Sequence, residues 1–191
     1  MEKSILYFDK PGEGNTDELI SFAARRAEEL GINFVVVATT QGGTALKAKK
    51  GFSNDTCIIA VTIAEGFSSR PGWCIEDKNR EKLLDKGIRV ITASHTLGDG
   101  VGSAFSEKYE GKPLEEIVRD TLYRFGQGMK VCVEIVLMAA DSGLIPMDQE
   151  IMAIGGTGEG ADTCIIVKPA YPRTFLELEI REILCKPRSL S

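Results

Sequence analysis

Three turns in this sequence carry residues that could handle a charged ligand. The first, Thr39-Thr40-Gln41-Gly42-Gly43-Thr44-Ala45, follows a β-branched apolar run and leads into a helical pattern. It offers hydroxyls and flexible glycine backbone where a helix begins. Free N–H groups and the positive end of the peptide dipole at such a place favour an anion, typically phosphate. A plainer reading leaves Thr44 as a helix cap and the glycines as a tight turn. The second is Gly155-Gly156-Thr157-Gly158-Glu159-Gly160-Ala161-Asp162. It contains no GxGxxG, and a strand rather than a helix follows, so it is not a dinucleotide fingerprint. It is either a strand-to-strand connection whose amides are open to a ligand or a long hairpin without function.

The third turn is Ser94-His95-Thr96, followed by Gly98, Asp99, Gly100 and Gly102. His95, the only histidine, could exchange a proton near neutral pH or donate to a phosphate. A structural loop role fits it equally. Ser94, His95 and Asp99 tempt a hydrolase reading, but they lie too close along the chain to assume triad geometry, and there is no GxSxG. The segment 65–73 adds Phe67, Arg70 and Trp73, which could cover a planar ligand and reach an anion, or simply pack as a lid on their own domain. The five cysteines form no CxxC pair, which with one histidine argues against a zinc site. No carboxylate cluster has recognisable metal spacing.

These turns need elements to position them. Short apolar runs predict strands at 4–8, 33–39, 56–62, 88–92, 150–154 and 163–167. Between them, helical spacing predicts helices at 16–30, 44–50, 77–86, 113–125 and 129–142, with Asn15 or Thr16 as a cap for the first. The stretch 94–113 shows little periodicity and is expected to be a long functional loop with a helical turn. The run 175–184 fits strand or helix and is read as strand. This alternation predicts an α/β fold: a three-layer α/β/α sandwich, its sheet largely parallel with an antiparallel C-terminal part, over 1–191 as one domain. In such a sheet the strands deliver their C-terminal ends to one edge, where ligands bind.

Composition sets the outer bounds. A net charge of −5, with scattered Lys and Arg, gives no nucleic-acid footprint. No apolar run approaches the roughly 18 residues a membrane span needs. The opening MEKSILYF has no signal-peptide pattern, and free cysteines inside apolar runs suit a reducing compartment, so a cytoplasmic location is expected. No exposed stripe is legible from the sequence, which leaves self-association open.

The stretch 32–62, INFVVVATTQGGTALKAKKGFSNDTCIIAVT, resembles the C-terminal domain of pyruvate kinase: apolar strand, Thr/Ser-Gly-x-Thr-Ala loop, short helix, and a strand ending in Ala-Val-Thr. In those enzymes the loop can grip a phosphate of an allosteric sugar bisphosphate; Thr40 to Ala45 match it here. Gln41 stands where a hydroxyl residue is usual, and Gly43 where Arg or another polar residue is common. No catalytic barrel precedes this stretch, so pyruvate kinase activity is not expected. Over nearly its full length the chain resembles a family of stand-alone archaeal proteins with the pyruvate kinase C-terminal-domain-like fold. Gly12-x-x-Asn15-Thr16, the TTQGGTA turn, Ser94-His95-Thr96 and GGTGEGAD carry that likeness. The resemblance implies a site for bound flavin mononucleotide (FMN) in a family without an established reaction, and a flavin-binding protein, with oxidoreductase chemistry as one use of it, is the first expectation. The FMN phosphate would sit on the TTQGGTA helix start or the GGTGEGAD amides, with Asn15, Thr16, His95 and Thr157 as candidate donors to the ring. The alternative is a non-catalytic sensor for a phosphorylated metabolite.

Overall fold

Apolar runs without polar alternation become strands covered on both faces, and that covering organises the molecule. The computed structural model describes residues 2–67 and 72–190; Arg70 lies outside them. Seven strands form one sheet in the order β1-β7-β6-β5-β2-β3-β4. They are β1 (Leu6–Phe8), β2 (Phe34–Ala38), β3 (Cys57–Thr62), β4 (Arg89–Thr92), β5 (Ile151–Gly155), β6 (Thr163–Lys168) and β7 (Glu179–Pro187). All neighbours pair in parallel except β6, which runs antiparallel to both β5 and β7.

Side-chain alternation along each strand divides the core in two. Val35, Val37, Ile58, Ala60, Met152 and Ile154 pack with α1 (Thr16–Leu30), α2 (Gly43–Gly51) and α3 (Asp77–Asp85). Val36, Ile59, Val61, Ile151 and Ala153 pack against α6 (Gln127–Asp141) on the other face. Each fully buried Ile or Val of this kind contributes about 2 kcal/mol of hydrophobic stabilisation. α6 is the most deeply set helix, with twelve of its fifteen residues buried. It is reached from β4 through α4 (Val101–Tyr109) and α5 (Leu114–Leu122). The result is the expected three-layer sandwich.

Three local expectations are corrected. The strand read over 175–184 is a 3-10 turn at Pro172–Glu177 followed by β7. Pro172 fixes the backbone at the turn's start, and Leu176 finds no neighbour to pack on, being almost wholly exposed. The loop read over 94–113 holds the full nine-residue helix α4, hidden by Gly102, Ser103 and Ser106. Neither Asn15 nor Thr16 caps α1. Asn15 belongs to a 3-10 turn at Glu13–Asn15 and donates its amide to Lys10 O and Gly12 O, while the Thr16 hydroxyl donates to Glu13 O. Among the described residues no helix is long and apolar enough to cross a membrane.

Candidate functional site

Strand direction decides which turns meet. β1, β2, β3, β4, β5 and β7 all end at one edge of the sheet, and β6 begins there. The sequence-predicted turns 39–45, 94–100 and 155–162 therefore share that edge, spread along the adjacent strands β5, β2, β3 and β4. The register holds them level: Val37 lies opposite both Ile154 and Ala60, and Val61 opposite Ile91. α1, α2, α3 and α6 all start at this edge too, so four positive dipole ends gather there.

The glycine-rich turn 155–162 is organised from below by Asp162, a fully buried carboxylate. It accepts the Gly12 amide at 2.9 Å, the Thr157 amide at 3.1 Å and the Thr163 hydroxyl at 2.8 Å. The Ala161 amide donates to Thr16 Oγ1 at 2.9 Å. Several glycines here are steric necessities. Gly156 lies against the Gly160 carbonyl, and Gly155 against the carbonyl of Gly128 at the start of α6, leaving no room for a side chain at either. The structure thus gives Asn15, Thr16, Ala161, Asp162 and the Thr157 amide a task inside the protein. They lock the turn after β1 to the turn after β5, and the Asn15 and Thr16 donors named as ring contacts are already committed.

The turn after β2 is different. Thr39 Oγ1 accepts the Gly42 amide at 3.0 Å and closes the turn. Gln41 points sideways and staples the neighbouring segment: its Nε2 donates to Gly72 O and Cys74 O, and its Oε1 accepts from Glu76 N and Asn79 Nδ2. Gly42, at φ 93°, lies against Leu83. What remains is open. The amides of Gly43, Thr44 and Ala45 begin α2 and have no acceptor within the helix. Among the described residues no group bonds to them or to the hydroxyls of Thr40 and Thr44. Gly43 is exposed with empty space beside it.

Next along the edge, His95 has both ring nitrogens engaged. Nδ1 pairs with Asp99 Oδ2 at 2.8 Å, and the Ala64 amide donates to Nε2 at 3.4 Å. Nε2 is therefore the acceptor and Nδ1 carries the proton. The ring lies 5.4 Å from Phe67, which lies 5.4 Å from Trp73. The hydrogen bonds of Gln41 bring Gly72, Cys74 and Glu76, and with them the segment that carries Trp73, against the turn after β2. Ser94 is exposed, and Thr96 Oγ1 is buried without a partner among the described residues. The thiol of Cys74 is pushed up by burial and by Glu65, which makes it a poor nucleophile.

Two polar groupings were missed in the sequence. Arg80 donates to Thr92 Oγ1 at 2.9 Å, and Thr92 is bonded to Thr62 at 2.6 Å, at the paired ends of β3 and β4. In α6, buried Lys130 donates to Glu134 Oε2 at 2.5 Å, and Glu134 Oε1 accepts the Leu97 amide at 3.0 Å. The available signal was a Lys and a Glu four apart in an otherwise apolar helix. The cavities do not coincide with the open turn. A cleft of about 220 Å³ lies at the β1–β7 end of the same edge, between Pro11, Gln127, Thr157 and Leu190. A groove of about 520 Å³ lies at the opposite edge, by Phe22, Arg25 and Arg181. Among the described residues, no group of three His, Cys, Asp or Glu could hold a metal.

A single mostly parallel sheet covered by helices on both faces defines an α/β domain. The particular family follows from comparison: the chain belongs to the family described as pyruvate kinase, alpha/beta domain, whose model matches residues 17–167. Among solved structures, a pyruvate kinase from Cryptosporidium parvum is 14% identical with a TM-score of 0.41, over 81% of this chain and 23% of that one. A second structure of the enzyme gives 14% and 0.39, over 81% and 22%. Its ADP complex gives 15% and 0.38, over 79% and 23%. The chain thus spans less than a quarter of the length of those enzymes.

Proposed function

We propose that this protein binds a phosphorylated small molecule at the strand-end edge, with the phosphate on the first turn of α2, and that the molecule is FMN. One observation carries the reading: among the described residues the amides of Gly43, Thr44 and Ala45 and the hydroxyls of Thr40 and Thr44 have no hydrogen-bond partner, and Gly43 beside them is exposed with empty space next to it. A dianion there gains charge-assisted hydrogen bonds and the dipole of α2. The neighbouring aromatic residues support the flavin part of the reading. Phe67 in contact with Trp73 and the His95 ring, on segments of the same strand-end edge, would be the aromatic surface for an isoalloxazine. A bound flavin would supply electron or hydride transfer, while the chain orients it and sets its electrostatics. His95 acts in this reading by holding the 94–100 turn to Ala64.

The test has two arms. Native mass spectrometry of the purified protein is expected to release FMN on denaturation; a colourless protein carrying or stabilised by another phosphate ester would instead make it a metabolite sensor. Gly43→Asp places a carboxylate in the open space with nothing to displace. It should lower FMN affinity at least tenfold by calorimetry while thermal stability is kept or raised, since an acid at a helix start is favourable. Unchanged affinity would remove the phosphate from α2. Gly42 is unsuited to this test, because a side chain there meets both a positive φ and Leu83.

A further inference from the structure

α4 is a helix that buries nothing. None of its nine residues is buried, and its apolar side chains Val101, Phe105 and Tyr109 are 77%, 62% and 65% exposed. A helix of this length is marginal in water on its own. Gly102 packs directly on Pro113 and Glu115, which brings the start of α5, where Leu114 is 80% exposed, beside the start of α4. Val101, Phe105 and Tyr109 together expose on the order of 400 Å², within the range of the largest patch on a monomer.

We propose that this surface is the two-fold interface of a homodimer in which α4 packs antiparallel on α4 of a second copy. The stripe is symmetric about its middle. With apolar residues at 101, 105 and 109, an antiparallel copy sets Phe105 on Phe105 and the smaller Val101 against the larger Tyr109, as an isologous contact requires. The exposed stripe alone is about half of the roughly 800 Å² that each partner contributes to a standard interface. Charge argues for the same occupant. Residues 101–122 hold three basic and five acidic side chains, which suits neither an anionic lipid surface nor nucleic acid. Mixed signs around an apolar stripe suit a copy of itself.

Light scattering on the eluting protein tests this. At about 100 µM chain, a hundredfold above a micromolar Kd, the wild type should run at twice the chain mass. Phe105→Lys with Leu114→Lys should run at the chain mass with an unchanged circular-dichroism spectrum, because neither side chain is buried. A wild type that stays monomeric at that concentration overturns the proposal. So does a dimer that survives both lysines, or co-sedimentation of the wild type with phosphatidylglycerol vesicles as a monomer.

Discussion

Asp162 shows how one side chain can hold two turns. It is fully buried and fixes the amides of Gly12 and Thr157 and the hydroxyl of Thr163. Hydrogen bonds to a charged acceptor are individually strong, and without it the buried Thr163 hydroxyl and the part-buried Gly12 and Thr157 amides would lose their partner. Asp162→Ala should therefore cost about 3 kcal/mol in urea unfolding. Hydrogen exchange should speed up at Gly12 and Thr157 before the sheet opens. The buried thiols make a second residue-scale prediction. Burial pushes Cys132 and Cys164 well up, and Cys185 up to about 12 from an ordinary 9.0. A thiol pKa raised by folding gives stability that is whole below pH 9 and fades as the pH climbs toward 12, because the unfolded thiols ionise first. Unfolding free energy should fall through that alkaline range. Iodoacetamide at pH 8.5 should leave these three unlabelled until urea is added.

At the scale of elements, α6 carries its own test. Lys130 and Glu134 are both buried, and Glu134 also anchors Leu97. Removing one partner strands the other charge, so Glu134→Leu alone should cost about 4 kcal/mol. Lys130→Met with Glu134→Leu should recover most of that loss, and the thermal melts of the two single variants and the pair would show it. The same helix illustrates what the sequence could disclose. Its apolar run, like those of β2, β3, β5 and β6, was readable because burial on both faces writes an unbroken hydrophobic stretch. The TTQGGTA and GGTGEGAD turns were readable because a strand end fixes where they lie. Their division of labour was not. Whether an amide meets a carboxylate from 150 residues away, as Gly12 meets Asp162, is decided by tertiary packing alone. α4 escaped for the opposite reason, since a helix that packs on little within its own chain leaves no core-facing pattern to recognise.

For the whole molecule, ligand and fold are linked by mass action. If FMN occupies the α2 turn, a concentration a hundred times its Kd should stabilise the native state by about 2.7 kcal/mol. A melting shift of that size in the wild type, absent in Gly43→Asp, would tie the effect to that turn. No shift in either protein would detach the flavin from this fold.

The pairing of β1 has a consequence for how the chain assembles. Its three residues join the sheet solely through β7, with Leu6 beside Cys185 and Phe8 beside Pro187. During synthesis β1 must wait, unpaired, until residues 179–187 have left the ribosome, while β2, β3 and β4 can already zip together. Closure of that distant pair is the slow, late event, and a chain cut short before 179 would leave its leading strand with nothing to dock against.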